Sequence, residues 1–431
     1  MFIKAFLKDR FLAVALIGGF LFRFLPFLMS VGHPERLLRS DSSDYLMLAE
    51  SLSSLGVYGD GHVFRTPGYP VFLMLLSFVS KSSYFFVFIQ ILMDLLICVL
   101  TYRLCLKMTQ NDKVSKLAFL LQCFSIVSAS YSLLILSETL FTLIFLVFLY
   151  FYYDVLKEQG STKKTIVMSL AFSLMVYVRA VASLYLVIPL FILLLRKKFK
   201  ETALFFVIVV AFCSLWVIRN HSVAGYKGFS SVSSFSLYRY NACQLLAHKN
   251  DRSFKDQQRV IDEEYLAFEE HVEKAAYSKK RGIQEIFKSP FLYAYLHLKA
   301  SLNSLFPAFG DYLRLWGVEV GGNGTLAIAN SHGYWAALKH YTGGNTILIL
   351  AIFPSIIFLL VQYIAIAWKT LDLKSMTLFE GFVIVTIFYF VFVGGPAATP
   401  RFRVAIVPLI SILTAVFIAV KFKCLDLLGD K

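Results

Sequence analysis

Residues 83–103 read SYFFVFIQILMDLLICVLTYR, a run of twenty-one positions interrupted in its middle only by Gln90 and Asp94. A hydrocarbon core about 30 Å thick takes about 20 predominantly apolar residues in one helix, and this run has that length and character. Working outward, comparable runs lie at 11–30, 117–134, 139–156, 166–179, 181–195, 202–218, 345–368, 377–394 and 404–420. The composition agrees. Of 431 residues, 58% are hydrophobic and 16% charged, with 43 Phe and 23 Tyr, and the mean hydropathy is +0.69. Soluble chains carry about 45–50% apolar and about 25% charged residues. The expectation is an all-α polytopic membrane protein with about ten spans, not the two or three soluble domains that length alone would suggest. The first run is too long for a signal-peptide core and lacks a small-residue cleavage site, so it is expected to be retained.

The 42 Lys and Arg exceed the 27 Asp and Glu, giving +15. In a soluble chain that excess would suggest nucleic acid, but here it tracks topology. With the N-terminus inside, nineteen basic residues fall on the inner side, among them Lys8, Arg103, Lys116, Lys164, Arg196 to Lys200, Lys369 and Lys421. The short outer connections hold only Arg179, Arg401 and Arg403. The positive-inside rule then places both termini on the cytoplasmic face. Two long loops remain outside, residues 31–82 and 219–344.

Cys98, Cys105, Cys123, Cys213 and Cys424 fall in spans or on the inner side, and Cys243 stands alone outside, so no disulfide framework is expected. All eight His lie in the two outer loops without metal-ligand spacing. Asn323-Gly-Thr325 fits a glycosylation sequon, a pattern that chance also produces. Residues 251–288 and 286–306 have amphipathic helical spacing, expected to lie over the outer face. Arg23 and Asp94 sit inside two different spans, where an unpaired charge is costly. A structural Arg23–Asp94 pair is expected.

The first outer loop carries Asp41-Ser-Ser-Asp44-Tyr45 and then Arg65-Thr66-Pro67-Gly68-Tyr69-Pro70. Residues 41–55 have helical spacing, and either Ser40 or Asp41 could cap that helix. The two prolines around Gly68 mark a rigid turn, and 71–80 is too short to span. Glu138 sits where the third and fourth spans meet, Arg179 at the next outer junction, Arg401 and Arg403 at the last, and Arg219 at the start of the large loop. Acids and arginines from five outer ends thus share one level. Arginines at such a surface suit a phosphate, which their planar fork grips with two hydrogen bonds. A carboxylate beside them suits a general base for an acceptor hydroxyl. Together they describe group transfer from a lipid phosphate whose tail stays in the bilayer.

In this order the motifs resemble the polyprenyl-phosphate-sugar-dependent glycosyltransferases of the GT-C superfamily, in the branch of bacterial protein-mannosyltransferase-like enzymes and aminoarabinose-transferase relatives. The resemblance rests on Arg23, Asp41 with Tyr45, Arg65 to Pro70, Ser137 to Phe141, Arg179, Trp216-x-x-Arg219-Asn220, Pro290 to Tyr293 and Arg401-x-Arg403. It implies a single GT-C-type membrane domain over 1–431, a bacterial inner-membrane location and an active site on the outer face. Asp41 would be the catalytic base, with Asp44 as the alternative. Glu138 would orient the acceptor or help bind a metal. Arg401 or Arg403 would hold the donor phosphate, with Arg65 and Arg179 as further candidates. Tyr45, Tyr69 and Arg219 would belong to the substrate loops. The partners implied are a polyprenyl-phosphate sugar, a hydroxyl acceptor on a glycan, lipid or protein, and the bilayer, with no nucleic acid. No cofactor is fixed, although Asp41 and Glu138 could share a divalent ion. The chain departs from the family in having Asp41-Ser42 where many members have Asp-Glu. It also has Thr66-Pro67-Gly68 where the aminoarabinose branch has Lys-Pro-Pro. Both departures weigh against aminoarabinose transfer more than against the general reaction. Two other readings stay open from sequence: a transporter or flippase for lipid-linked glycans, and a polysaccharide polymerase or ligase.

Overall fold

The computed structural model describes residues 8–59, 61–157, 161–305, 309–318, 320–321 and 325–422. Asn323, Cys424 and the terminal lysines Lys4, Lys423 and Lys431 lie outside them. The described residues are helical, with no strand among them. In chain order the elements used below are α1 (Arg10–Leu28), α2 (Ser40–Leu55), α3 (Gly68–Ser77), α4 (Ser83–Thr109), α5 (Asp112–Cys123), α6 (Ile126–Ser132) and α7 (Glu138–Lys157). They continue as α8 (Thr162–Val178), α9 (Val181–Leu195), α10 (Phe199–Ala224), α11 (Phe254–Glu264), α12 (His271–Phe287), α13 (Pro290–Ser301) and α14 (Phe309–Leu315). The last are α15 (Thr346–Leu371), α16 (Leu378–Phe392), the 3-10 helix Pro400–Ile406 and α17 (Val407–Phe422).

Six helices are long and apolar enough to cross a membrane, and the α5–α6 pair makes up to seven. The three other expected spans are shorter. α8 has 17 residues, and α9 and α16 are also under 18. At 1.5 Å per residue, 17 residues reach only about 25 Å. The protein is an integral membrane protein. Its core is a column of aromatic rings running through α7, α8, α9 and α16: Phe141, Phe145, Phe148, Tyr152, Phe172, Tyr185, Phe382 and Phe390. α10, by contrast, leaves Phe206, Val207, Leu215 and Ile218 exposed, as a lipid-facing helix does.

The run 117–134 is not one straight span. It breaks between α5 and α6 with a bend of 52°, because Ser125 turns its side chain onto the Ser128 amide and starts a new helix. The break leaves carbonyls at the end of α5 without helical partners. Arg23 of α1 takes them, donating from Nη1 to Cys123 O at 2.6 Å and to Gly19 O at 2.8 Å. Its Nε donates to Asp94 Oδ2 at 2.7 Å, and Ser128 Oγ donates to Asp94 Oδ1 at 2.6 Å. The expected Arg23–Asp94 pair is therefore present and fully buried, and it fastens α1, α4 and the bend together.

The same economy of polar groups brings the first outer loop onto the bundle. After α6 the chain passes through turns and bends over 133–137. Leu37 O accepts from the Ile135 amide at 3.0 Å, Ser42 Oγ donates to Ile135 O at 2.8 Å, and Gln90 Nε2 donates to Leu134 O at 2.6 Å. The N-cap position of α2 falls to Arg39. The helix is closed from the other side, with the Arg39 amide donating to Ser42 Oγ at 2.9 Å. Asp41 is left free to face its surroundings. Farther along, Thr66 Oγ1 donates to Val178 O at 2.8 Å, and Gly68 presses on the backbone of Tyr177 and Val178. A Cβ at Gly68 would lie 2.8 Å from those atoms, so only glycine fits. The large loop folds over the same side as α11 to α14. Asp311 on α14 accepts from Arg39 Nη2 at 2.5 Å, and His297 of α13 meets Phe392 O at 2.8 Å.

Removing one partner of a buried ion pair strands the other charge, at a cost of about 3–5 kcal/mol. Asp94→Ala should therefore lower the melting temperature of the detergent-solubilised protein sharply. The double change Arg23→Met with Asp94→Leu should recover part of that loss in the same melting assay.

Candidate active site

Six side chains from five segments form one alternating string of charge at the loop end of the bundle. Asp44 Oδ2 accepts from Arg65 Nε at 3.0 Å and Nη2 at 2.9 Å. Arg65 Nη2 also donates to Asp41 Oδ1 at 2.7 Å. Asp41 Oδ2 accepts from Arg401 Nη1 at 2.6 Å. Arg401 Nε and Arg179 Nη1 both donate to Glu138 Oε1. The order is Asp44, Arg65, Asp41, Arg401, Glu138, Arg179. No charge in it is more than one contact from its opposite, which is what a poorly solvated site requires.

The local folding that sets each group is visible. Asp41 and Asp44 stand one turn apart at the start of α2. Arg65 is held flat, its guanidinium 4.9 Å from the Phe64 ring centroid and 5.4 Å from that of Tyr45. Glu138 opens α7, where the helix dipole favours a negative charge. Arg179 closes α8 at the spot where Gly68 and Thr66 pin the first loop. Exposure varies along the string. Asp44 is 39% exposed and Asp41 18%, whereas Glu138 is 2% exposed. Glu138 Oε2 is buried without a partner, beside a void of about 10 Å³ lined by Arg179, Phe390, Arg401 and Phe402. That is room for a single water. Burial alone would raise the Asp41 carboxyl, but Arg401 and Arg65 outweigh it and hold the group below the ordinary carboxylate range.

The other expected residues fall elsewhere. Tyr45 is buried at the rim, its hydroxyl 3.4 Å from Ser137 Oγ. Tyr69 is fully buried and donates to Gln90 Oε1 at 2.7 Å, so it braces α3 against α4 and does not face a substrate. Arg219 donates to the carbonyls of His62 and Tyr58 at 2.7 and 2.9 Å and stacks on Trp216. It is a staple for the first loop, not part of the charged string. Arg403 is turned away from Arg401. It donates to Leu305 O and to the Tyr363 hydroxyl, both at 2.8 Å, and no carboxylate among the described residues pairs with it. It closes a separate cavity of about 370 Å³ between the α5–α6 bend, α15 and α17, lined by Leu121, Phe124, Phe358 and Gln362 among others.

Sequence reading missed His62. Its Nε2 accepts from the Arg65 amide at 2.9 Å, fixing the loop that carries the guanidinium. The signal available was its place in a turn with Gly59 and Gly61, both left-handed. Ser42 was missed as well, because its role depends on Ile135, a partner far away in the sequence.

A divalent ion does not fit this arrangement. Both Asp41 oxygens and Glu138 Oε1 are already occupied by guanidinium donors, and three arginines would repel a dication. Among the described residues no group of three His, Cys, Asp or Glu side chains could hold a metal.

With this geometry in hand, comparison with known proteins is informative. The archaeal oligosaccharyltransferase AglB from Archaeoglobus fulgidus, solved with an inhibitory peptide and a dolichol-phosphate, superposes with a TM-score of 0.50 at 11% identity, over 99% of this chain and 53% of its own. The fold is that of the GT-C membrane glycosyltransferases. Residues 64–224, from Phe64 to the start of the large loop, match the Alg9-like mannosyltransferase family. A second structure of the Archaeoglobus fulgidus oligosaccharyltransferase, tethered to an acceptor peptide with the NVT sequon, gives a TM-score of 0.49 at 11% identity, covering 97% of this chain and 50% of that one. ArnT from Cupriavidus metallidurans bound to undecaprenyl phosphate gives 0.36 at 12% identity, covering 95% and 77%. The chain spans about half the length of the archaeal enzyme. Comparison with curated proteins gives no significant match. The likeness to the archaeal enzyme is therefore one of fold, and the match to the mannosyltransferase family covers 161 of the 431 residues. The matched segment contains Arg65, Glu138, Arg179 and Arg219, but not Asp41, Arg401 or Arg403.

Burial, and then the charge of His271, push the His62 imidazole down to about 4 from an ordinary value near 6.5. The unfolded chain therefore takes up a proton between about pH 6.5 and 4 that the folded chain refuses, so stability should fall as pH drops through that window. Chemical denaturation at several pH values should show this component, and His62→Gln should lack it.

Proposed function

We propose that this GT-C protein is an inverting glycosyltransferase that moves a sugar from a polyprenyl-phosphate donor to a hydroxyl acceptor on a glycan, lipid or protein. The single membrane domain would present its site on the outer face, with both termini cytoplasmic, in a bacterial inner membrane. The observation that carries the reading is the Asp41–Arg401 contact at 2.6 Å. It joins a partly open carboxylate to a partly open arginine at the loop end of a lipid-embedded bundle. The family match from residue 64 to 224 supports a hexose of the mannosyl kind as the transferred sugar.

The chemistry needs one base and one anion holder. Asp41 takes the proton of the acceptor hydroxyl as its oxygen attacks the anomeric carbon from the face opposite the phosphate. The bond between that carbon and the phosphate oxygen breaks, and the lipid phosphate leaves with the electron pair. Its developing charge is met by Arg401, whose planar fork suits a phosphate oxygen pair. Arg403, without an acid partner among the described residues, is a buried cation in the wall of the apolar cavity, where the first isoprene units of the carrier would lodge. Asp44 keeps Arg65 in place at the exposed end of the string. Glu138 is the buried member of the string and meets no substrate. No step requires a metal.

General-base catalysis contributes about 100- to 10,000-fold. Purified protein incubated with a radiolabelled polyprenyl-phosphate sugar and a panel of hydroxyl acceptors (glycan, lipid and protein) should release free lipid phosphate, and Asp41→Asn should lower that release by a factor in this range without loss of folded protein. Unchanged release in the variant would remove Asp41 from the reaction. Absence of release by the unmodified protein with every sugar donor tried would favour transport over transfer.

A further inference from the structure

One contact in the charged string stands in the way of the reaction proposed above. With Arg65 on Oδ1 and Arg401 on Oδ2, Asp41 has both oxygens covered, and a carboxylate so covered is poorly placed to accept a hydroxyl proton. An incoming phosphate would compete with Asp41 for the guanidinium of Arg401. Glu138 differs from Asp41 in two respects that matter. It holds Arg401 by Nε and not by Nη1, and it is shut off from the outside.

From this geometry we infer that Arg401 is handed from Asp41 to the lipid phosphate of the donor, while Glu138 stays on Nε as the fixed post about which the guanidinium tip moves. The inference rests on the glycosyltransferase reading. It makes Glu138 a positioning residue, and it fixes an order: donor first, then acceptor. Before the donor arrives, Asp41 is masked, and water cannot be activated in place of the acceptor. When the phosphate takes Arg401 Nη1, Oδ2 of Asp41 is uncovered next to the anomeric carbon it serves. The groups facing Asp41 are Arg65 from the loop and Arg401 from the 3-10 helix. Asp44 and Tyr45 lie around Arg65, and Glu138 and Arg179 lie beyond Arg401. Of these contacts, the one to Arg401 both touches an Asp41 oxygen and belongs to a guanidinium with a second, buried anchor. Lysine could not substitute, because a point charge on a flexible stem cannot hold Glu138 and release Asp41 independently.

Because the Asp41–Arg401 bond and the phosphate–Arg401 bond exclude each other, weakening one strengthens the other by linkage. Asp41→Asn, which should be inactive in transfer, should therefore bind the lipid product more tightly than the unmodified protein. Binding of undecaprenyl phosphate to the full chain in nanodiscs would be measured for the unmodified protein, Asp41→Asn, Arg401→Lys and the double variant. The expected gain for Asp41→Asn is about tenfold, the scale of one charged hydrogen bond, and it should vanish in the Arg401→Lys background. Affinity in Asp41→Asn equal to or weaker than that of the unmodified protein overturns the hand-over and leaves the glycosyltransferase reading standing. Absence of binding by every form overturns the lipid-phosphate donor itself. The unmodified protein gives a second readout independent of mutation. Carbodiimide labelling of Asp41, mapped by mass spectrometry, should rise when undecaprenyl phosphate is added, and no rise despite binding also overturns the hand-over. For Glu138, the glutamine variant keeps an oxygen for Nε but loses the charge that Arg179 and Arg401 share, and it should bind the lipid phosphate more weakly than the unmodified protein. Glu138→Ala should lose binding, and equal affinities in the two would remove the post.

Discussion

The structure turns on the rule that a charge withdrawn from water must meet its opposite at once. Arg401 is where that rule is most tightly applied, since one guanidinium neutralises Asp41 from one nitrogen and Glu138 from another. Around it, Arg65 takes the other oxygen of Asp41 and Arg179 shares Oε1 of Glu138, while Glu138 Oε2 faces the small void. Glu138 can sit buried at the top of an apolar helix only because two arginines reach it there. Asp41 is partly open because its own string ends in the half-exposed Asp44.

Two features of the scaffold make that arrangement possible, and both concern backbone rather than side-chain charge. The turn segment after α6 lends its carbonyls to Gln90 and Ser42, which draws the start of α2 against the start of α7 and so sets Asp41 near Glu138. The close approach of Gly68 to Tyr177 and Val178 sets the loop of Arg65 against the junction of Arg179. Deeper in the bundle the Arg23–Asp94–Ser128 network closes the broken end of α5. That break lies beside the Arg403 cavity, so the bend that costs α5 its last hydrogen bonds also creates part of the apolar wall.

How much of this is legible in sequence depends on the kind of information involved. The membrane class, the helical fold and the positions of most spans follow from runs such as 83–103, because hydropathy measures transfer into lipid and little else. The bend at Ser125 does not follow, since a window over 117–134 averages across it. The Arg23–Asp94 pair was legible because two isolated charges in lipid leave few alternatives. At the site, the shared level of Asp41, Glu138, Arg65, Arg179 and Arg401 could be read from span ends, but their pairing could not. Arg401 and Arg403 show why. Two positions apart on a 3-10 helix of three residues per turn they point in quite different directions, and the letters Arg-Phe-Arg look the same either way. Tyr69 was read as a loop residue facing a substrate, whereas its ring fills a buried slot and its hydroxyl is used up by Gln90.

The distance along the chain between Arg401 and the acids it neutralises has a consequence for biogenesis. Asp41 and Glu138 emerge from the ribosome some 360 and 260 residues before their shared partner. Until the final span is inserted, Glu138 has Arg179 alone, and Asp41 has only Arg65. The acids must therefore wait at the water-exposed rim while α8 to α16 are laid down around them. The final helix then seals two carboxylates as it docks, so lateral closure of the bundle and neutralisation of its reaction centre are one event.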